Sequence, residues 1–160
     1  MTTQLRRFCV AALLLFPLIA FADSPNSVPS RHNEATVAQL QWEMANGRTT
    51  SEQLTREYLA RIFALDQHGP GVNSVIELNP DALAMARRAD DLRRHGKILG
   101  PLHGIPILVK DNIDTGDRMQ TTAGSLALLG APANRDSTVA AKLRAGGAVI
   151  LGKTNLSEWA

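Results

Sequence analysis

Lys110 is the residue whose type and place invite chemistry. It follows four consecutive apolar side chains, Pro106-Ile107-Leu108-Val109, so it is expected to emerge at the carboxyl end of a buried strand, where open α/β sheets place their ligands. Two readings follow. In one, it is an ordinary strand-end ammonium paired with Asp111 or Asp114. In the other, it is a desolvated amine kept neutral as a general base. Moving its pKa from about 10.4 to about 7 costs roughly 5 kcal/mol, which only a built site sustains. Position along the chain leaves both readings open.

Other patterns carry less. Gly147-Ala-Val-Ile-Leu-Gly-Lys-Thr154 fits the expression of a phosphate-binding loop. Its four middle residues are strand formers and a helix precedes it, whereas a phosphate cradle needs a turn preceded by a strand. Asp111, Asp114 and Asp117 lack the alternating ligands and the closing glutamate of a calcium loop. His32, His68, His95 and His103 are scattered, none with a second ligand at metal spacing, and each reads as a surface or loop residue. No metal and no cofactor is expected. Asn155-Leu156-Ser157 is a glycosylation sequon only in a eukaryotic export route.

The elements that must hold Lys110 are legible from periodicity. Val37, Leu40 and Met44 recur at helical spacing, with Gly47 as a C-terminal cap. Thr50 and Gln53 form a capping-box signature, followed by Leu54, Tyr58, Ile62 and Leu65 on one face until Gly69-Pro70-Gly71. Val75–Leu78 reads as a short strand. Asn79-Pro80-Asp81 opens a third helix that buries Ala82, Met85, Ala86, Ala89 and Leu92, turns its arginines to water and stops at His95-Gly96. Ile105–Val109 and Ala148–Leu151 read as strands covered on both faces. A Gly- and Thr-containing loop and a helix from Ser137-Thr138 to Gly146-Gly147 lie between them. Strand, crossover helix and strand indicate an α/β fold with a partly parallel sheet.

Of 160 residues, 44% are hydrophobic and 20% charged, which excludes collagen, coiled coil and charge-dominated disorder. There are 17 Lys+Arg against 15 Asp+Glu. Arg6 and Arg7 are the only charges in residues 1–22, so 17 − 2 leaves 15 basic against 15 acidic side chains beyond them. A chain balanced in this way lacks the basic patch that nucleic acid requires. Arg6-Arg7, the apolar run Phe8–Ala22 and Ala20-Phe21-Ala22 describe a cleavable export signal over residues 1–22. That run is too short to anchor a membrane stably. Residues 23–34 read as a flexible leader. The sole cysteine, Cys9, lies in the signal, so the expected mature chain has no thiol, and disulfides and cysteine nucleophiles are excluded.

Gly100-Pro-Leu-His-Gly-Ile-Pro-Ile-Leu-Val-Lys-Asp-Asn112 closely resembles the amidase signature family. So do Thr121-Thr-Ala-Gly-Ser125, Asp136-Ser-Thr-Val139 and Gly146-Gly-Ala-Val-Ile-Leu-Gly-Lys-Thr-Asn155, in the same order. Residues 35–99 are similar to its N-terminal helices more loosely. The resemblance implies a mixed β-sheet flanked by helices, of which residues 35–160 are the N-terminal part. It also implies hydrolysis of a small-molecule or peptide amide by a Ser–cis-Ser–Lys triad, without a cofactor. Lys110 matches the triad lysine. Ser125 and its neighbours would line the site. In family members the segment with both serines lies beyond the position of Ala160, so no nucleophile is assigned to Ser125, Ser137 or Ser157. The chain by itself is therefore expected to be catalytically silent and poorly folded. The amidase-like component of tRNA-dependent amidotransferases carries the same motifs, and a non-catalytic binding module is a third reading.

The export signal makes a direct prediction. N-terminal sequencing of the secreted product should begin at Asp23. Recovery of the exported protein with Met1 intact would contradict it.

Overall fold

The computed structural model of the chain describes residues 31–130 and 132–157. The expected signal over residues 1–22, and residues 23–30 of the expected leader, lie outside the described residues. Two helices come first. α1 (Val37–Ala45) starts at Thr36, whose hydroxyl accepts from the Gln39 amide while the Gln39 side chain accepts from the Thr36 N–H. This reciprocal capping box leaves two fewer orphan donors at the helix end. The following cap, Thr50 on α2 (Ser51–Arg61), accepts at its hydroxyl from the Gln53 amide at 3.1 Å. More help comes from α3 (Ala82–Arg94). There the buried Asp90 accepts from the Ser51 and Glu52 amides at 2.8 and 3.0 Å. A carboxylate facing a helix N-terminus is favourable on both hydrogen-bond and dipole grounds.

α2 does not stop where its α-helical pattern does. It continues as a π-helical turn, Ile62–Gln67, before the Gly69–Gly71 break. α3 buries Ala82, Ala86 and Ala89 as its spacing predicts. Its arginines divide, however. Arg87, Arg88 and Arg94 face water, whereas Arg93 reaches inward to the carbonyl of His103 at 3.0 Å and to Gln41 at 2.8 Å. Among the described residues no helix is long and apolar enough to cross a membrane.

Three strands form one mixed sheet in the order β1-β3-β2. β3 (Val149–Thr154) is central, with β2 (Pro106–Lys110) parallel on one side and β1 (Val75–Leu78) antiparallel on the other. The connection from β2 to β3 runs through the 111–137 loop and α4 (Thr138–Ala145), capped by the Ser137 hydroxyl on the Ala140 amide. Two expectations need correction. β3 is buried as expected but extends three residues further, to Thr154, so Lys153 lies inside a strand. β2 is not covered on both faces: it is an edge strand of this sheet, with Ile107 half-buried and Leu108 37% exposed. An apolar run reports burial only where a neighbour exists to supply it.

The 147–154 segment is thus built around a strand, as its residues imply, and is no phosphate loop. Its register is irregular. Ile107 pairs with Ile150, yet Leu108 pairs with Gly152, so Leu151 is an extra residue, a bulge. Beyond it, Val109 is opposite Lys153 and Lys110 opposite Thr154. Side chains alternate along a strand, so Val109 and Lys153 share one face while Lys110 lies on the other. The core divides the same way. Val109 and Ile150 pack with Met119 on one face, and Val75, Val149 and Leu151 pack with Ile62 on the other.

The histidines are also partly corrected. His32 and His103 are buried, at 5% and 0% exposure, because their ring nitrogens find partners that replace water. His32 lies between Glu57, 2.6 Å from Nδ1, and Glu43, 3.1 Å from Nε2, so part of the expected leader is seated on α1 and α2. His103 donates from Nε2 to the Ala89 carbonyl at 3.0 Å and accepts at Nδ1 from the Leu99 amide at 3.3 Å. Burial pushes its imidazole below the ordinary histidine pKa. A Cβ on Gly147, whose φ is +87°, would come 2.7 Å from the His103 Cα.

Gly152 shows how tightly the strands are joined. A Cβ there would sit 2.3 Å from the carbonyl oxygen of Glu77 in β1. Gly152→Ala should force β1 away from β3 and destabilise the protein by about 1–3 kcal/mol, read as a lower denaturation midpoint. An unchanged midpoint would contradict this close approach.

Candidate active site

Lys110 is the last residue of β2 and is half-buried. Its carbonyl accepts from the Ile113 amide at 3.0 Å, which starts the turn out of the sheet. Among the described residues its amine has neither a hydrogen bond nor an ion pair. The pairing with Asp111 or Asp114 expected of an ordinary strand-end lysine is therefore not formed. Asp114 is exposed, and Asp111 is engaged elsewhere.

Asp111 is 1% exposed and connects three segments. Its N–H donates to the Thr154 carbonyl at 3.0 Å, continuing the β2–β3 ladder by one rung. Its Oδ2 accepts from both the amide and the hydroxyl of Thr122, at 3.1 and 2.5 Å. Its carbonyl accepts from Ala123 at 3.1 Å. The Thr121–Ser125 loop is thereby tied to the end of β2 by one residue.

The other carboxylate oxygen, Oδ1, has no hydrogen bond and faces Lys153 Nζ at 3.7 Å. Lys153 is fully buried. It donates to the Ile113 carbonyl and to the Thr121 hydroxyl, both at 2.9 Å. Burial pushes its amine below the ordinary lysine range, and Asp111, then Asp117, Glu77 and Asp114, work against that. Two charges sealed from water are tolerated only as a pair, because either one alone would lack compensation.

Ser125 lies at the far end of the same loop. Its amide donates to the Thr122 carbonyl at 2.8 Å, and its hydroxyl accepts from Ala127 at 3.3 Å, capping the short 3₁₀ turn Leu126–Leu128. It lines a surface depression together with Glu77, Asp111, Gln120, Thr122 and Leu126. The structure so brings the Ser125 loop beside the residue following Lys110. The third sequence motif joins from the side, where Asp136 accepts from the Gly116 amide at 2.7 Å and from Arg144 of α4 at 3.0 Å.

Sequence reasoning missed the Asp111–Lys153 pair. The available signal was a charged residue directly after Ile150-Leu151-Gly152, which in a strand running to Thr154 must be buried and therefore matched. Ending the strand at Leu151 concealed it. Among the described residues no three His, Cys, Asp or Glu side chains converge to hold a metal ion.

The chain is similar in sequence and fold to known proteins. The sequence profile of the Amidase family matches residues 53–160. A candidate amidase of Schizosaccharomyces pombe is 51% identical over 127 residues, covering 79% of this chain and 21% of its own. A glutamyl-tRNA(Gln) amidotransferase component of Chloroflexus aurantiacus is 46% identical over 126 residues, covering 78% of this chain and 25% of its own. The native peptide amidase of Stenotrophomonas maltophilia superposes with a TM-score of 0.79 at 54% identity, over 82% of this chain and 27% of that one. The chain thus spans about a quarter of the length of the relatives it matches. With the motifs, the mixed sheet and the family profile in agreement, the chain belongs to the amidase family.

Proposed function

We propose that residues 31–157 supply the lysine half of an amide-hydrolysing site, with Lys110 as the base that starts the proton relay. The observation that carries this reading is the amine of Lys110 at a strand's carboxyl end, without a counter-ion among the described residues, while the adjacent carboxylate is occupied by Lys153. By the family resemblance, Lys110 Nζ takes a proton from a bridging serine, which deprotonates the nucleophilic serine. The nucleophile attacks the amide carbonyl, the amine or ammonia leaves with a proton, and water then releases the acid. Both serines belong to the segment that follows in family members. Ser125 lines the approach to the site. The substrate class is a small-molecule or peptide amide, supported by the likeness to a peptide amidase. Export by a signal over residues 1–22 belongs to the same proposal.

A second reading has its own support in the likeness to a tRNA-dependent amidotransferase component. The two separate by assay. A hydrolase releases ammonia from a peptide amide unaided, whereas an amidotransferase component requires its partner chains for turnover.

In the complete polypeptide carrying these residues, Lys110→Ala should lower kcat/KM by about 10²–10⁴ and leave the thermal midpoint within a few degrees of the parent. Near-parental turnover in a folded Lys110→Ala protein would refute the assignment.

A further inference from the structure

Asp111 follows Lys110 directly and is the carboxylate nearest to it in the chain. Were it free, it would stabilise the Lys110 ammonium and oppose its use as a base, since an opposite charge close by favours the ionised form. It is not free. Lys153 faces Asp111 Oδ1 at 3.7 Å, and the exposures of the two side chains are 0% and 1%. Thr122 occupies Oδ2. The alternation of β2 and β3 puts Lys153 on the Val109 face, opposite to Lys110, so the buried charge pair is separated from the candidate base by the sheet itself.

Among the described residues, the other carboxylates around these strand ends are engaged or in solvent. Glu77 of β1 accepts from the Gln120 amide at 2.8 Å. Asp117 is bound to Arg144 of α4. Asp114 is exposed. On the Lys110 face, Asp66 accepts from the Ser74 and Val75 amides at 2.8 and 3.0 Å, and Tyr58 and the half-buried Arg61 line the same hollow as Leu108 and Leu151. Asp111 is therefore the carboxylate whose release would matter to Lys110.

We infer that Lys153 is a positioning residue for the reaction: by holding Asp111 on the opposite face of the sheet, it denies Lys110 a counter-ion and keeps its amine available as a base. This rests on Lys110 being the base. Lys153 touches no reacting atom and acts only through Asp111, so the consequence is a change in pH dependence rather than a plain loss of activity.

The test is the acidic limb of the kcat/KM profile of the complete polypeptide with a peptide amide substrate, which reports the free enzyme's base. Lys153→Gln keeps a side-chain donor for Ile113 and Thr121 but removes the charge. Its acidic limb should move up by about one pH unit, so that turnover at neutral pH falls roughly tenfold and recovers in alkali. Adding Asp111→Asn to Lys153→Gln removes the released carboxylate and should return the limb to its parental position. A limb that stays in place in Lys153→Gln, or fails to return in the double variant, overturns the inference. Lys110→Ala separates the role of Lys153 from the assignment beneath it. If it is dead while the Lys153→Gln limb is unmoved, only the inference fails; if it is active, the underlying assignment fails. Should Lys153→Gln not fold, competitive acetylation of the parent decides. Lys110 should reach half-labelling at a pH no higher than the exposed Lys97 and Lys142, and a higher value would show that Asp111 is its counter-ion after all.

Discussion

A carboxylate and an ammonium, both sealed from water, stand at the carboxyl ends of two parallel strands. Removing either Asp111 or Lys153 alone would strand the other charge, at a cost of about 3–5 kcal/mol for a buried pair. The chain therefore keeps both or neither. Around that constraint the local structure is arranged. Lys153 also binds the Ile113 carbonyl and the Thr121 hydroxyl, and Asp111 also binds Thr122, Ala123 and Thr154. Two residues thus fix the end of β2, the turn that follows it and the start of the Thr121–Ser125 loop.

The rest of the fold brings β2 to this point. His103, buried between the Ala89 carbonyl and the Leu99 amide, presses the segment before β2 against Gly147, just before β3. Ser51 donates to the Gly104 carbonyl at 2.7 Å, and Asp90 caps α2, so helix ends and strand starts are joined by single side chains. The small apolar cluster of Leu40, Met44, Leu54 and Ile105 then packs α1 and α2 against the entry to β2. Each contact is modest. Their shared effect is to leave β2 few ways to shift relative to β3, which a site at the strand ends needs.

Much of this is legible in the order of residues alone. The helices over 37–45, 51–61, 82–94 and 138–145 follow from apolar spacing and caps, because one hydrophobic face per helix must be buried. The parallel pairing of β2 and β3 follows from two apolar runs separated by a crossover helix. The strand-end position of Lys110 follows from its place after one of those runs. What is not legible depends on partners distant in sequence. Nothing local to His103 announces the Ala89 carbonyl, and nothing local to Asp111 announces Lys153. The edge position of β2 also escapes, because Ile107 and Leu108 look the same whether or not a neighbour covers them.

If Asp111 belongs to Lys153 and not to Lys110, a high-resolution crystal structure of a polypeptide carrying these residues together with the proposed serine segment will show it. The Asp111 carboxylate should lie between Lys153 Nζ and Thr122, with Lys110 Nζ about 2.6–3.2 Å from a serine hydroxyl. An ion pair between Lys110 and Asp111, with Lys153 turned away, would contradict the assignment.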